Sequence, residues 1–271
     1  MNYRPLTQES ALQTAKLRVK TYRDESGRAL LEGERLLGEA IAQGVALHYV
    51  IVQRGREQRF ADLLARSTAM GIPVYSTTEK RFLRFSDTKH PQGIAAVADI
   101  PRVNAVRTIA TVPAHVPVIA LHGIADPGNL GTIIRSMDWF ACTLLLVSRG
   151  SVDAWNPKVI RAAMGSLFRV GIAWYEDEAD LLALAGRAGR VLVAASARGG
   201  IPVSSFKPRE NLLLVFGSEA HGLPVHICNA AEESISIPGA PGVESLNLAI
   251  AHAIVMYALS VQSSEISLPK H

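Results

Sequence analysis

The chain has 271 residues, 48% hydrophobic and 6% aromatic, enough to fill two small cores or one large one, which excludes a disordered chain. Its net charge of +4 names no partner by itself, but the distribution does more. Residues 1–100 hold 15 Lys and Arg against 11 Asp and Glu, whereas residues 101–271 hold 13 of each. This is either ordinary surface composition or, if a polyanion docks, a sign that it does so on the first hundred residues.

In chain order, residues 9–22 read as a basic helix carrying Lys16, Arg18 and Lys20, with Arg23 just beyond it. Residues 29–43 read as a second helix, 47–52 as a strand, 57–70 as a helix, and 73–77 and 93–100 as strands. Residues 101–116 contain Pro101 and Pro113, run up to Pro117 and lack helical periodicity. They are the expected linker between a domain at 1–100 and a second at 117–271.

From residue 118 strands and helices alternate. Strands are expected at 118–122, 143–148, 169–174, 191–195, 212–216 and 234–237, and helices at 130–140, 157–167, 179–188 and 246–261. Runs such as Leu144-Leu-Leu-Val147 and Leu212-Leu-Leu-Val-Phe216 suit strands buried on both faces, as in a mainly parallel sheet with helices on both sides. No apolar run reaches the ~18 residues of a membrane span, and the N-terminus lacks the apolar core of a signal peptide. Cys142 and Cys228 have no partner pattern, so both are expected as reduced, buried thiols in a cytoplasmic protein, with no metal site.

The common α/β cofactor fingerprints are absent: the sequence has no G-x-G-x-x-G after a strand, no G-x-x-x-x-G-K-[ST] loop and no G-x-S-x-G elbow. What stands at the strand ends instead is three segments. The first is Asn129-Leu-Gly-Thr-Ile-Ile-Arg135, where Asn129 reads either as a helix N-cap or as a site residue, and Arg135 offers a planar fork for phosphate. The second is Phe216-Gly-Ser-Glu219-Ala-His-Gly222-Leu-Pro224, whose glycines permit close approach of a ligand. The third is Ile237-Pro-Gly-Ala-Pro-Gly-Val-Glu-Ser245-Leu-Asn247, which meets the start of an apolar helix.

Taken in order, the three segments resemble the signature motifs of the SpoU (TrmH) family of RNA ribose methyltransferases. Arg18-Val-Lys20, Leu31-Glu-Gly-Glu-Arg35 and His90-Pro-Gln-Gly93 resemble that family's RNA-binding N-terminal domain. The resemblance implies a ribosomal-protein-like α/β domain followed by an α/β methyltransferase domain with a C-terminal deep trefoil knot. It implies S-adenosylmethionine as cofactor, held by Gly217, Ile237, Leu246, Ala195, Ser196 and Gly222. It places Arg135, Asn129, Glu219, Ser245 and Asn247 at the reaction centre, and Lys16, Arg18, Lys20, Arg23, Arg35 and Arg161 on the RNA side. It further implies a homodimer that needs no metal, with ribosomal RNA as preferred substrate. A transfer RNA enzyme, an inactive RNA-binding protein on the same fold, and a small-molecule or protein methyltransferase on that scaffold are the alternatives.

Overall fold

The computed structural model describes residues 3–242 and 244–262. The chain forms two compact units: Met1–Pro101 together with Trp155–Phe168, and Arg102–Ala154 together with Arg169–His271.

The first unit runs β1 (Arg4–Pro5), α1 (Gln8–Lys16), α2 (Lys20–Ser26), β2 (Arg28–Glu32), α3 (Glu34–Ala42), β3 (Leu47–Gln53), α4 (Ala61–Ala69), β4 (Val74–Thr77), α5 (Glu79–Phe85) and β5 (Ile94–Asp99). The sheet order is β1-β4-β3-β5-β2, and alternating side chains feed two cores. Val50, Val52, Ile94 and Ala96 pack with Leu37, Phe60 and Leu64 on one face. Ile51, Ala95 and Val97 pack with Leu6, Phe82 and Phe85 on the other.

Two expectations fail here for local reasons. The segment 29–43 is not one helix, because its first residues form β2, antiparallel to β5, and Gly33 at φ 110° turns the chain into α3. A short run apolar on both faces does not distinguish strand from helix by periodicity. The segment 9–22 is likewise broken. Leu17 ends α1, Val19 is extended before α2, and Arg23 donates to the Leu17 carbonyl at 2.7 Å. Arg23 is 2% exposed, so it closes this turn from inside and is withdrawn from the RNA-facing set.

The second unit contributes α6 (Ala105–Thr111), β6 (Val118–Leu121), α7 (Pro127–Trp139) and β7 (Leu144–Ser148). Next in chain order is α8 (Pro157–Ala163), grouped with the first unit. The second unit then continues through β8 (Gly171–Tyr175), α9 (Glu178–Arg187), β9 (Val191–Ser196), β10 (Ile201–Pro202), β11 (Leu212–Phe216), α10 (Val225–Ala230), β12 (Glu233–Ser236) and α11 (Leu248–Gln262). The expected linker 101–116 therefore holds a helix. Ile109 of α6 is 1% exposed in the core. Arg190 donates to the carbonyls of Ile109 and Val112 at the helix's C-terminal end, and to that of Val116 in the segment beyond it.

The seven strands run in the order β10-β12-β9-β11-β6-β7-β8, and the named pairs are parallel. Val118, Ala120, Leu144, Leu213 and Val215 face α6, α9 and α10 through Ile109, Leu184 and Ile227. On the opposite face α7 packs on α11. There Ser136 and His252 Nδ1 lie 2.9 Å apart, and the rings of Phe216 and His252 are 5.2 Å apart. No helix among the described residues is long and apolar enough to cross a membrane. Cys142 is buried as expected, with its thiol pushed up to about 12 by burial. Cys228 is exposed, because α10 is short and turns Ile227 rather than Cys228 into the core.

Candidate active site at the switch point of the sheet

The sheet reverses its order of growth between β6 and β11. These strands are neighbours, with Phe216 opposite Leu121, so the loops that leave their carboxyl ends rise side by side. Open parallel sheets place ligands at such a point.

After β11 the chain folds back tightly. Ser218 and Gly222 exchange backbone hydrogen bonds, Ser218 N to Gly222 O at 3.2 Å and Gly222 N to Ser218 O at 2.9 Å. A Cβ at Gly217 would lie 2.2 Å from the Gly222 carbonyl carbon, so only glycine fits, and Glu219 is held within the turn.

After β6, Asp126 caps α7: its Oδ1 accepts from Asn129 N at 2.7 Å, with Pro127 opening the helix. Asn129 is thus not the cap. Relieved of that role, it reaches across the loops. Its Nδ2 donates to Glu219 Oε1 at 2.5 Å, and its Oδ1 accepts from Asn247 Nδ2 at 3.0 Å. Asn247 in turn caps α11, its Oδ1 accepting from Ala249 N at 3.0 Å and Ile250 N at 3.3 Å. The result is a directional chain from helix amides through two side-chain amides to one carboxylate, an acceptor that terminates it.

Beside this chain opens a cavity of about 790 Å³, within the ~300–1,000 Å³ of small-ligand sites. Ala195, Ser196, Gly217, Gly222, Ile237 and Leu246, expected around the cofactor, all line it, as do Glu219 and Ser245. Asn129 and Asn247 meet Glu219 through the hydrogen bonds above. Arg135 does not line the cavity. It is exposed on α7 and makes no ion pair or hydrogen bond among the described residues.

Two charged lining residues were not singled out by sequence. Arg198 lies in the loop after β9, which carries no motif. Glu244 stands inside the third segment beside Ser245, and that position was its only signal.

The cavity fits S-adenosylmethionine chemically. Phe216, Leu248 and Val255 supply apolar wall for an adenine. The carboxylates of Glu219 and Glu244 suit a ligand that carries sulfonium and ammonium charges. The glycine- and proline-rich backbone of 238–242 brings main-chain groups to the surface of the cavity.

Behind the site, His252 is fully buried and burial lowers it to about 3, so its imidazole is neutral. On the expected RNA side, Lys16 stands 5.5 Å from the Tyr22 ring centroid. Arg18 and Arg161 pair with Asp87 at 3.9 Å and 2.7 Å, Lys20 pairs with Asp24 at 2.8 Å, and Arg35 is exposed at the start of α3.

The SpoU rRNA Methylase family matches residues 117–257, and the MRM3-like substrate binding domain matches residues 12–96. Fold, site and matches together define an S-adenosylmethionine-dependent RNA methyltransferase. The chain belongs to the SpoU rRNA methylase family. It is 30% identical over 250 residues to the 23S rRNA (guanosine(2553)-2'-O)-methyltransferase RlmP of Bacillus subtilis, covering 90% of this chain and 93% of that protein. It is 30% identical to the mitochondrial rRNA methyltransferase 3 of Xenopus laevis, over 88% of this chain and 70% of that one. Its fold matches the AdoMet-bound rRNA methyltransferase of Sinorhizobium meliloti with a TM-score of 0.84 and 27% identity, covering 95% of this chain and 96% of that chain.

Proposed function

We propose that this protein methylates a ribose 2′-hydroxyl of ribosomal RNA in the cytoplasm, acting as a homodimer. The observation that carries the reading is the Glu219–Asn129–Asn247 chain at the mouth of a ligand-sized cavity. It ties the three sequence segments together, and one of the protein's relatives named above is a 23S rRNA (guanosine(2553)-2'-O)-methyltransferase.

Bound S-adenosylmethionine supplies an electrophilic methyl group. The cavity residues Gly217, Gly222, Ile237, Leu246, Ala195 and Ser196 would hold and orient it, largely through backbone, and the carboxylates of Glu219 and Glu244 would offset its positive charge. Ser245, Asn129 and Asn247 would orient the ribose so that its hydroxyl oxygen can take the methyl group, with S-adenosylhomocysteine as leaving group and the hydroxyl proton passing to solvent. Arg135 clamps the target phosphate and stabilises negative charge that develops on the ribose oxygen. A guanidinium is a poor base, so its first role is electrostatic. The knot that the resemblance implies belongs to this reading, with the C-terminal segment threaded through a loop.

Arg135 lies outside its own cavity, which supports a site completed by a second copy of the chain. The partner-facing surface is the stripe Ile250, Ile254, Tyr257 and Val261 on α11, 52%, 36%, 63% and 65% exposed. A helix that shows an apolar stripe at this spacing is built to be covered.

The test is methyl incorporation from labelled S-adenosylmethionine into ribosomal RNA, followed by mapping of 2′-O-methyl positions in cells with and without the protein. Arg135→Ala should reduce transfer at least ~100-fold, the order expected when transition-state charge loses one donor, while cofactor affinity stays within a factor of about two. Near-normal turnover in purified Arg135→Ala would remove Arg135 from the centre.

A further inference from the structure

We infer that the first compact unit carries an RNA-backbone site of its own, a cleft framed by Arg18, Arg84 and Lys158. It rests on the RNA methyltransferase reading above and adds an anchor made by residues that line no part of the methyl-transfer cavity.

The cleft measures about 480 Å³ and is lined by three cations from separate stretches of sequence: Arg18 after α1, Arg84 on α5 and Lys158 on α8. Asp87 is the only carboxylate among its lining residues. That carboxylate sits between Arg18 at 3.9 Å and Arg161 at 2.7 Å. The internal carboxylate thus partly offsets the cluster, and a positive surplus is left facing solvent. Arg84 and Lys158 are exposed, and neither makes an ion pair among the described residues. A cation held at a concave surface without a carboxylate partner attracts an anion, because nothing in the protein neutralises it.

The chemistry favours a phosphodiester strand over a free anion. A free phosphate is held where several donors converge on one desolvated point, whereas these cations are exposed and come from three elements. That distribution suits successive phosphates of one strand, which displaces counterions as it binds. Ala15, Val19 and Pro157 add apolar lining between the charges, a surface for ribose or a base face that inorganic phosphate would not use. The excess of Lys and Arg over Asp and Glu in residues 1–100 supplies the long-range field in which such a strand would arrive. Of the RNA-side residues expected from sequence, Arg18 lines the cleft and Arg161 borders it through Asp87. Arg84 and Lys158 are additions that only the fold brings to them.

The full-length protein and its Arg84→Ala/Lys158→Ala variant decide the matter. Affinity for a labelled single-stranded RNA oligonucleotide is measured at several salt concentrations, with S-adenosylmethionine affinity measured by calorimetry in parallel. The slope of log affinity against log salt should become shallower by about 1.4, roughly 0.7 for each single-strand phosphate that is no longer neutralised. Cofactor affinity should stay within about twofold, since no cofactor-cavity residue is altered. Single Arg84→Gln and Lys158→Gln substitutions, at exposed positions that leave the fold intact, should each take about half of that change in slope.

An unchanged slope in the double variant, with methyl transfer by the wild type intact, overturns the cleft and leaves the activity standing. Displacement of the oligonucleotide by inorganic phosphate at low millimolar concentration, in a manner abolished by the double substitution, would assign the cleft to a free anion and overturn the RNA assignment. A wild-type protein that binds cofactor but neither binds nor methylates RNA would overturn both readings.

Discussion

Asn247 donates from Nδ2 to Asn129 Oδ1 at 3.0 Å across 118 residues of sequence. This one hydrogen bond joins α7, the helix that follows β6, to the helix that closes the described chain. Each residue holds a second partner on its far side, Glu219 for Asn129 and the α11 amides for Asn247. The orientation of each amide group is therefore set by its neighbour's, and the chain has one consistent direction.

That direction makes Asn129→Asp informative. The substitution replaces a donor by a carboxylate facing Glu219 Oε1, where the native hydrogen bond is 2.5 Å. Two carboxylates so close do not both ionise readily, so one binds a proton more tightly. Methyl transfer at neutral pH should fall by about 100-fold, as expected for loss of alignment. It should recover in part as pH is lowered, because a proton shared between the carboxylates restores a hydrogen bond. Pre-steady-state methylation across pH checks this, and an acid-side profile that parallels the wild type would refute it.

Gly217→Ala tests the cofactor turn separately. The added methyl would stand 2.2 Å from the Gly222 carbonyl carbon and 2.4 Å from Leu223 N, both backbone atoms that cannot move without opening the turn. We expect a stability loss of about 1–3 kcal/mol, the scale of overpacking, and at least tenfold weaker S-adenosylmethionine binding. Chemical denaturation and calorimetry measure the two effects independently. Unaltered cofactor affinity would mean that this turn does not shape the cavity.

His252 gives the fold a pH dependence of known sign. Its ordinary value of 6.5 is lowered to about 3 by complete burial, so the unfolded chain takes up a proton that the folded one refuses. Stability is then fully present above about pH 6.5 and is lost as pH falls from there towards about 3, by up to ~1.4 kcal/mol per pH unit. Urea midpoints between pH 7 and pH 5 should decline less steeply for His252→Leu than for the wild type. Parallel slopes in the two proteins would show that another group governs acid unfolding.

The apolar stripe on α11 predicts an assembly defect that leaves the cofactor site whole. Tyr257, 63% exposed, changed to Glu, places a charge within a surface that the dimer would bury, at a cost of several kcal/mol. Sedimentation should report a monomer that binds S-adenosylmethionine yet transfers little methyl to RNA. A Tyr257→Glu protein that stays dimeric at micromolar concentration would move the interface elsewhere.

The parallel sheet is legible in the sequence because its strands are continuous apolar runs: β11 spans the same residues, 212–216, in sequence and in structure. The segment at 29–43 is not, since Ala29 to Leu31 are buried in β2 and the helix begins only after Gly33. The helix inside 101–116 is hidden because it is short and is completed from outside, by Arg190 reaching back from a position some 80 residues later. At the site, the residue types in the three segments are readable. Their connections are not. Asn129 stands where a cap is expected, and only the position of Asp126 three residues earlier shows that another side chain already fills that role. Arg84 and Lys158 carry no motif at all, and only folding brings them beside Arg18.

The order of strands also bears on how the enzyme is made. β11 lies between β9 and β6, so the middle of the sheet is filled by one of the last strands to be translated. A nascent chain that has released residues up to about 200 holds β6 and β9 with the seat between them vacant, its apolar faces open to solvent. Domains emerge from the ribosome at about 5–20 residues per second. For the seconds before 212–216 appear, this half-built sheet is a target for chaperones, and no shortened version of the domain that stops before β11 can be expected to close.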